Sequence, residues 1–240
     1  MSKLLVGNLK SNLNMDKVGA YVYTLSSSLY GNNEVVICPS FIHIPFFSSE
    51  KFKVGAQDVS IYDSGAFTGE VSAEQLKSSN VSYVIIGHNE RKQYFNETDE
   101  IVNKKVKQCL KNNISPIICI GETKEEKLTM QTETVIRRYL LEVLKQIDRD
   151  IMKDIVIAYE PIWSIGTGIV PTSREIDEIA VFIKDIVKSA YKIDVRVLYG
   201  GSIDSNNIDK FKNIKNIDGF LIGGSSNNVL EFTEIIKEID

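Results

Sequence analysis

Ile155-Val156-Ile157-Ala158-Tyr159 is followed by a helical stretch over Glu175–Tyr191 and then by Val195-Arg196-Val197-Leu198-Tyr199. The two flanking runs are short, rich in Val and nearly continuous in apolar residues, as strands buried on both faces should be. Between them, Ile176, Ile179, Ala180, Ile183, Ile186 and Val187 fall on one helical stripe. Thr172-x-x-Glu175 fits a capping box at the start of that helix. The unit reads as strand, helix, strand, and its pattern recurs along the chain. Further runs are Leu4–Val6, Val35–Cys38, Val54–Ala56, Tyr83–Ile86, Ile117–Ile120 and Phe220–Ile222. Asn96–Lys111 carries a second apolar stripe, and Ser72-x-x-Gln75 marks another helix start. Only the link after Val35–Cys38 is weak, since Ile44–Glu50 leaves room for a short helix at most. Eight strands alternating with eight helical segments predict an α/β fold of parallel units. At this length a closed (β/α)8 barrel of eight parallel strands fits best, as a single domain over residues 1–240. A doubly wound open sheet is the competing architecture, and periodicity alone does not separate the two.

The 240 residues contain 43% hydrophobic and 25% charged side chains, with a net charge of −4 and a pI near 5.4. These are ordinary globular values, and they argue against a nucleic-acid-coating surface. Arg137-Arg138 and Lys104-Lys105 sit in helical patterns and read as solvated faces. The uncharged run Val35–Ser49 holds Pro39, His43 and Pro45 and falls short of the ~18 apolar residues of a membrane span. The apolar stretch after Lys3 is too short for a signal-peptide core. Three cysteines (Cys38, Cys109, Cys119) without a CxxC pair indicate neither a disulfide framework nor a zinc site. With only His43 and His88, a multi-histidine metal centre is hard to build. The expectation is a reduced, cytoplasmic setting without metal, nucleic-acid or membrane partners.

In a β/α barrel the active site lies at the C-terminal strand ends. The first strand ends in Asn8-Leu9-Lys10, and a period of two puts Asn8 and Lys10 on one side. A catalytic cation and a surface lysine just past the strand are both compatible with this position. The fourth strand ends in Gly87-His88-Asn89-Glu90-Arg91, where a histidine followed by an acid suits acid/base chemistry or a structural histidine beside a charge pair. His43 reads as a packed loop histidine. The sixth strand ends in Tyr159-Glu160-Pro161. A carboxylate boxed in by Tyr159, Ile162 and Trp163 is desolvated, which suits a general base. The apolar, glycine-tipped segment Pro161–Thr172 reads as a lid. The last two strands end in Gly200-Gly201-Ser202 and Gly223-Gly224-Ser225, where bare backbone amides can approach a phosphate.

Taken in order, these segments closely resemble the triosephosphate isomerase family. The resemblance rests on Asn8-x-Lys10, Gly55-Ala56-Gln57, Gly65–Ser72, Ile86–Arg91, Cys119–Glu122, Ala158–Gly168, Tyr199–Ser202 and Gly219–Gly224. It implies a TIM barrel that interconverts glyceraldehyde 3-phosphate and dihydroxyacetone phosphate through an enediolate, as in glycolysis and gluconeogenesis, without a cofactor. This family is itself the standard example of a glutamate base paired with a neutral histidine and a closing loop. By resemblance, Glu160 is the base, His88 the electrophile, Lys10 the cation and Asn8 the polar group beside it. Gly166, Ser202, Gly223 and Gly224 match the phosphate grip, with Asn8 and Lys10 also touching substrate. Glu90, Cys119, Glu122, Tyr159 and Trp163 match supporting positions. Gly65–Ser72, with Phe67 and Thr68, resembles the loop that inserts into the partner of a homodimer.

The chain departs from the usual family pattern at Asn89 (usually Ser), Lys92 (Arg), Leu9 (Trp), Ser164 (Ala), Ile169 (Lys) and Pro171 (Ala). Pro171 would stiffen the end of the lid. Two rival readings are a Schiff-base aldolase using Lys10 and an inactive barrel serving as a scaffold.

Overall fold

The computed structural model describes residues 2–165 and 169–240. Its strands are β1 (Leu4–Asn8), β2 (Glu34–Cys38), β3 (Lys53–Ala56), β4 (Val81–Ile86), β5 (Ser115–Ile120), β6 (Val156–Tyr159), β7 (Arg196–Tyr199) and β8 (Gly219–Ile222). They pair in sequence order, all parallel, and close into a barrel. Closure is made by β1 against β8, from Leu4 opposite Gly219 to Gly7 opposite Ile222. That pairing excludes the open doubly wound sheet.

The period of two along each strand separates two cores. Leu4, Val6, Val36, Cys38, Tyr83, Ile85, Ile117, Cys119, Val156, Ala158, Leu198 and Leu221 form one cluster. Their neighbours Leu5, Ile37, Val84, Ile118, Ile157 and Val197 join a larger cluster with helix side chains. This is why the runs read as continuously apolar: one set fills the barrel and the other seats the helices.

The helices are α1 (Met15–Ser28), α2 (Ala73–Ser78), α3 (Asn89–Phe95), α4 (Asp99–Lys111), α5 (Lys124–Leu128), α6 (Thr132–Val143), α7 (Ser173–Tyr191) and α8 (Val229–Ile239). Both expected capping boxes form, at Ser72/Gln75 and Thr172/Glu175, and Thr123/Glu126 makes a third. Two links are shorter than the simple alternation. After β2 the chain makes a 3-10 turn at Phe41–Phe46, earlier than the expected Ile44–Glu50, and the buried Phe47 ends it. Between β7 and β8 the helical element is only Ile208–Lys210. Arg137 and Arg138 are exposed as expected, but Lys105 is not a solvated residue. Asp58 and Glu97 converge on its ammonium at 2.6 and 2.5 Å, and that pairing lets α4 bury it.

At the N-terminal end of the barrel Glu34 accepts from Lys53 (2.7 Å), Tyr83 (2.7 Å) and Arg196 (2.8 Å). Partial burial opposes its charge, but these donors prevail and hold the carboxyl below its usual range. A carboxyl lowered on folding adds stability above its unfolded titration range and loses it as pH falls through the folded one. Glu34→Ala is therefore expected to cost about 1–3 kcal/mol at neutral pH, because it strands the partners as well as removing the acceptor. It should also flatten the fall in stability below about pH 4. Urea unfolding of both proteins at pH 7 and pH 3.5 checks this; equal midpoints at pH 7 would contradict it.

Candidate active site

Five strand ends, those of β1, β4, β6, β7 and β8, converge on a cavity of about 350 Å³ at the C-terminal mouth. Asn8, Lys10, His88 and Glu160 line it, and so do Ser202, Gly223 and Gly224. The residues that sequence reading placed at separate strand ends thus face one space.

Asn8 closes β1, and its Oδ1 accepts the Lys10 N–H at 3.1 Å. Lys10 itself has a left-handed backbone, φ 50°. A non-glycine residue is strained there, and surrounding bonds must hold it. Its carbonyl accepts from Gln57 Nε2 (2.8 Å) and Ser40 Oγ (3.1 Å), which pins the peptide. The side chain then reaches into the cavity, with Nζ 2.5 Å from Glu90 Oε1. Glu90 is partly exposed and sits in the first turn of α3.

His88 follows β4 and caps α3. Its Nδ1 accepts the Glu90 N–H at 3.3 Å, which leaves Nε2 to carry the ring proton. Nε2 lies 3.5 Å from Glu160 Oε1. Both side chains are buried.

Glu160 follows β6, and its N–H donates to Ile120 O at 2.7 Å. Its carboxylate needs the bare backbone of Gly200: a Cβ there would lie 2.6 Å from Glu160 Cγ. Sequence reading assigned the Gly200-Gly201 pair to phosphate binding and missed this packing role. The signal was present only as a glycine at a strand end, which several roles share. Gly223 plays a similar part toward Lys10, since a Cβ there would come within 3.2 Å of Lys10 Cε.

The supporting residues sit on the same rim. Glu122 is fully buried; its carboxylate accepts from Trp163 Nε1 at 2.7 Å and from the Tyr159 hydroxyl at 3.1 Å. Burial first, and the Glu122 charge second, push the Tyr159 hydroxyl far above its usual range. Ser202 Oγ donates to Ser164 O at 3.0 Å, tying the β7 loop to the segment after Glu160. Cys119 lies inside the barrel, and burial together with the Glu160 carboxylate holds its thiol protonated, well above the usual range. Gly166, and the lid tip it shares with Thr167 and Gly168, lie outside the described residues. Phe67 and Thr68 are away from this cavity. They border a surface groove with Tyr62 and Phe95, and the rings of Phe67 and Tyr62 stack at 4.0 Å. His43 is buried in the Phe41–Phe46 turn and does not line the cavity.

A family model described as triosephosphate isomerase matches residues 3–239. The chain belongs to the triosephosphate isomerase family. A triosephosphate isomerase of Chloroherpeton thalassium is 41% identical over 251 residues, covering 99% of each chain. One of Alkaliphilus oremlandii is 40% identical, covering 98% of both chains. One of Clostridium tetani is also 40% identical, covering 98% of this chain and 95% of its own. The triosephosphate isomerase match spans residues 3–239, so it covers every strand end that lines the cavity.

Proposed function

We propose that Glu160, His88 and Lys10 carry out the interconversion of glyceraldehyde 3-phosphate and dihydroxyacetone phosphate, an intramolecular aldose–ketose isomerisation, in this cavity. The observation that carries the assignment is the approach of Glu160 Oε1 to His88 Nε2 at 3.5 Å, with Lys10 lining the same space. A proton α to a carbonyl leaves only if a base is aimed at it and the developing oxyanion is stabilised. Glu160 takes the proton from one carbon and returns it to the next. His88 Nε2–H donates to the carbonyl oxygen and then to its neighbour. Lys10, held by the strained backbone at the end of β1, supplies positive charge to both the enediolate and the phosphate. The backbone amides near Ser202, Gly223 and Gly224 receive the phosphate, where the missing side chains let it come close. The hydrogen bonds of Glu122 to Tyr159 and Trp163 anchor the segment after the base.

The Lys10–Glu90 ion pair also weighs against Schiff-base chemistry, because a paired ammonium has no lone pair to attack a carbonyl. The test of the reading is a coupled assay on the purified protein, in both directions, with borohydride added to an enzyme–substrate mixture as a control. Isomerisation without trapping at Lys10 supports it; trapped adduct would overturn it.

A homodimer in the cytoplasm is the setting this reading implies. Among the described residues no helix is long and apolar enough to cross a membrane. The exposed rings of Tyr62, Phe67 and Phe95 around one groove support an interface there. Replacing Phe67 and Thr68 with Asp is expected to give monomers, because unpaired charge would have to be buried on association. Sedimentation velocity reads the outcome, and an unchanged dimer would place the interface elsewhere.

A further inference from the structure

A second, much smaller cavity of about 10 Å³ adjoins Glu160. Asn89, Lys92 and Cys119 share its wall. That volume takes about one water molecule. Two buried acceptors in this wall residue set, Asn89 Oδ1 and Glu160 Oε2, have no hydrogen-bond partner among the described residues. Buried polar atoms are ordinarily paired, so two orphans at one small polar cavity call for a common partner. Lys92 packs its ammonium 3.7 Å from the centre of the Tyr139 ring. Burial draws that ammonium below the usual lysine range, while Asp99, Glu97 and Glu160 act in the opposite direction.

We propose that Lys92, together with Asn89, is a positioning residue for Glu160, acting through one water held in this cavity. The donor count closes. An ammonium only donates, so the water accepts from Lys92 and has two protons left. One goes to Asn89 Oδ1 and the other to Glu160 Oε2, which satisfies both orphans and leaves Oε1 facing His88. The site is built from two of the positions where this chain departs from the usual family residues. A guanidinium at 92 would extend further into the space, whereas the compact ammonium leaves room for the water. Cys119, protonated and hydrogen-bonded to the carboxylate through a thiol that is only a weak donor, closes the wall and leaves Glu160 Oε2 in need of a stronger partner.

This inference rests on Glu160 being the base, so Glu160→Gln is measured beside the test variants. Lys92→Met keeps length and packing over the Tyr139 ring and removes the donor. Misaiming a catalytic group is costly, so it should lower kcat by about tenfold or more while KM and inhibition by inorganic phosphate change less than about twofold. Lys92→Arg, whose longer guanidinium takes the water's place and donates to the carboxylate directly, should recover kcat to within about threefold of the parent. Asn89→Ala should lower kcat in the same sense and serves if Lys92→Met does not fold. If Lys92→Met and Asn89→Ala keep kcat within about twofold while Glu160→Gln is inactive, the positioning role is wrong and the base assignment stands. Parallel losses of kcat and phosphate affinity, not recovered by Arg, would mark Lys92 as structural and also overturn it. An active Glu160→Gln would instead remove the base assignment, and this inference with it.

Discussion

Glu160→Gln is expected to keep the barrel and lose the chemistry. Removing a positioned general base costs roughly 10²–10⁴-fold in rate, and here the base acts on both carbons of the same reaction. The amide is nearly isosteric, and the backbone that holds it is untouched: the residue's N–H still donates to Ile120 O, and Gly200 still leaves room for the side chain. Stability should therefore stay within about 1 kcal/mol of the parent, with relief of a desolvated charge offsetting any lost contact. Binding of inorganic phosphate should persist, since the amides near Ser202, Gly223 and Gly224 do not depend on the carboxylate. The measurement is kcat by coupled assay alongside thermal unfolding. A purified, folded variant retaining more than roughly a tenth of the parent kcat would show that another group moves the proton.

Much of this arrangement is legible in the sequence because parallel strands are buried on both faces. A run such as Val156–Tyr159 can only be apolar throughout, so the first polar residue after it, Glu160, marks the barrel mouth. The same reasoning locates Asn8 after Val6-Gly7 and His88 after Ile86-Gly87. Helix starts are legible at Ser72 and Thr172 because a capping box is a local bargain between a hydroxyl and an acid or amide three residues on. What the sequence hides is long-range pairing. Lys105 looks like any charged helix residue, and only the fold brings Asp58 and Glu97, 47 and 8 residues away, onto its ammonium. Glu34, Lys53 and Arg196 open three strands and Tyr83 lies two residues into a fourth, and nothing local says that they meet. The cavity shared by Asn89, Lys92 and Cys119 is hidden for the same reason. Its walls come from the β4, β5 and β6 ends, and its polar balance is visible only when all three are in place.

Lys10→Met should cripple catalysis without destabilising the fold. The parent residue holds a left-handed backbone that Met must also adopt, so strain is common to both and cancels in the comparison. The bonds that pin it are made by backbone atoms: its N–H to Asn8, and its carbonyl to Gln57 and Ser40. They survive the substitution. The change removes the ammonium from a side chain that is 27% exposed, and leaves the Glu90 side chain, exposed at 38%, to be solvated. A partly desolvated ion pair adds little to stability, so the melting temperature should be unchanged or higher. Function depends on that charge far more. Deleting even one neutral donor to an oxyanion costs roughly 10²–10³-fold, and a full cation facing both enediolate and phosphate should cost at least as much. Unlike Glu160→Gln, this variant should also lose affinity for inorganic phosphate, because Lys10 serves binding as well as chemistry. The pair of variants thus separates the two functions of the cavity. Phosphate titration by calorimetry and kcat/KM by coupled assay read them independently. If Lys10→Met instead melts well below the parent and still turns over, the lysine is a structural partner of Glu90, and the positive charge for the enediolate must come from elsewhere in the mouth.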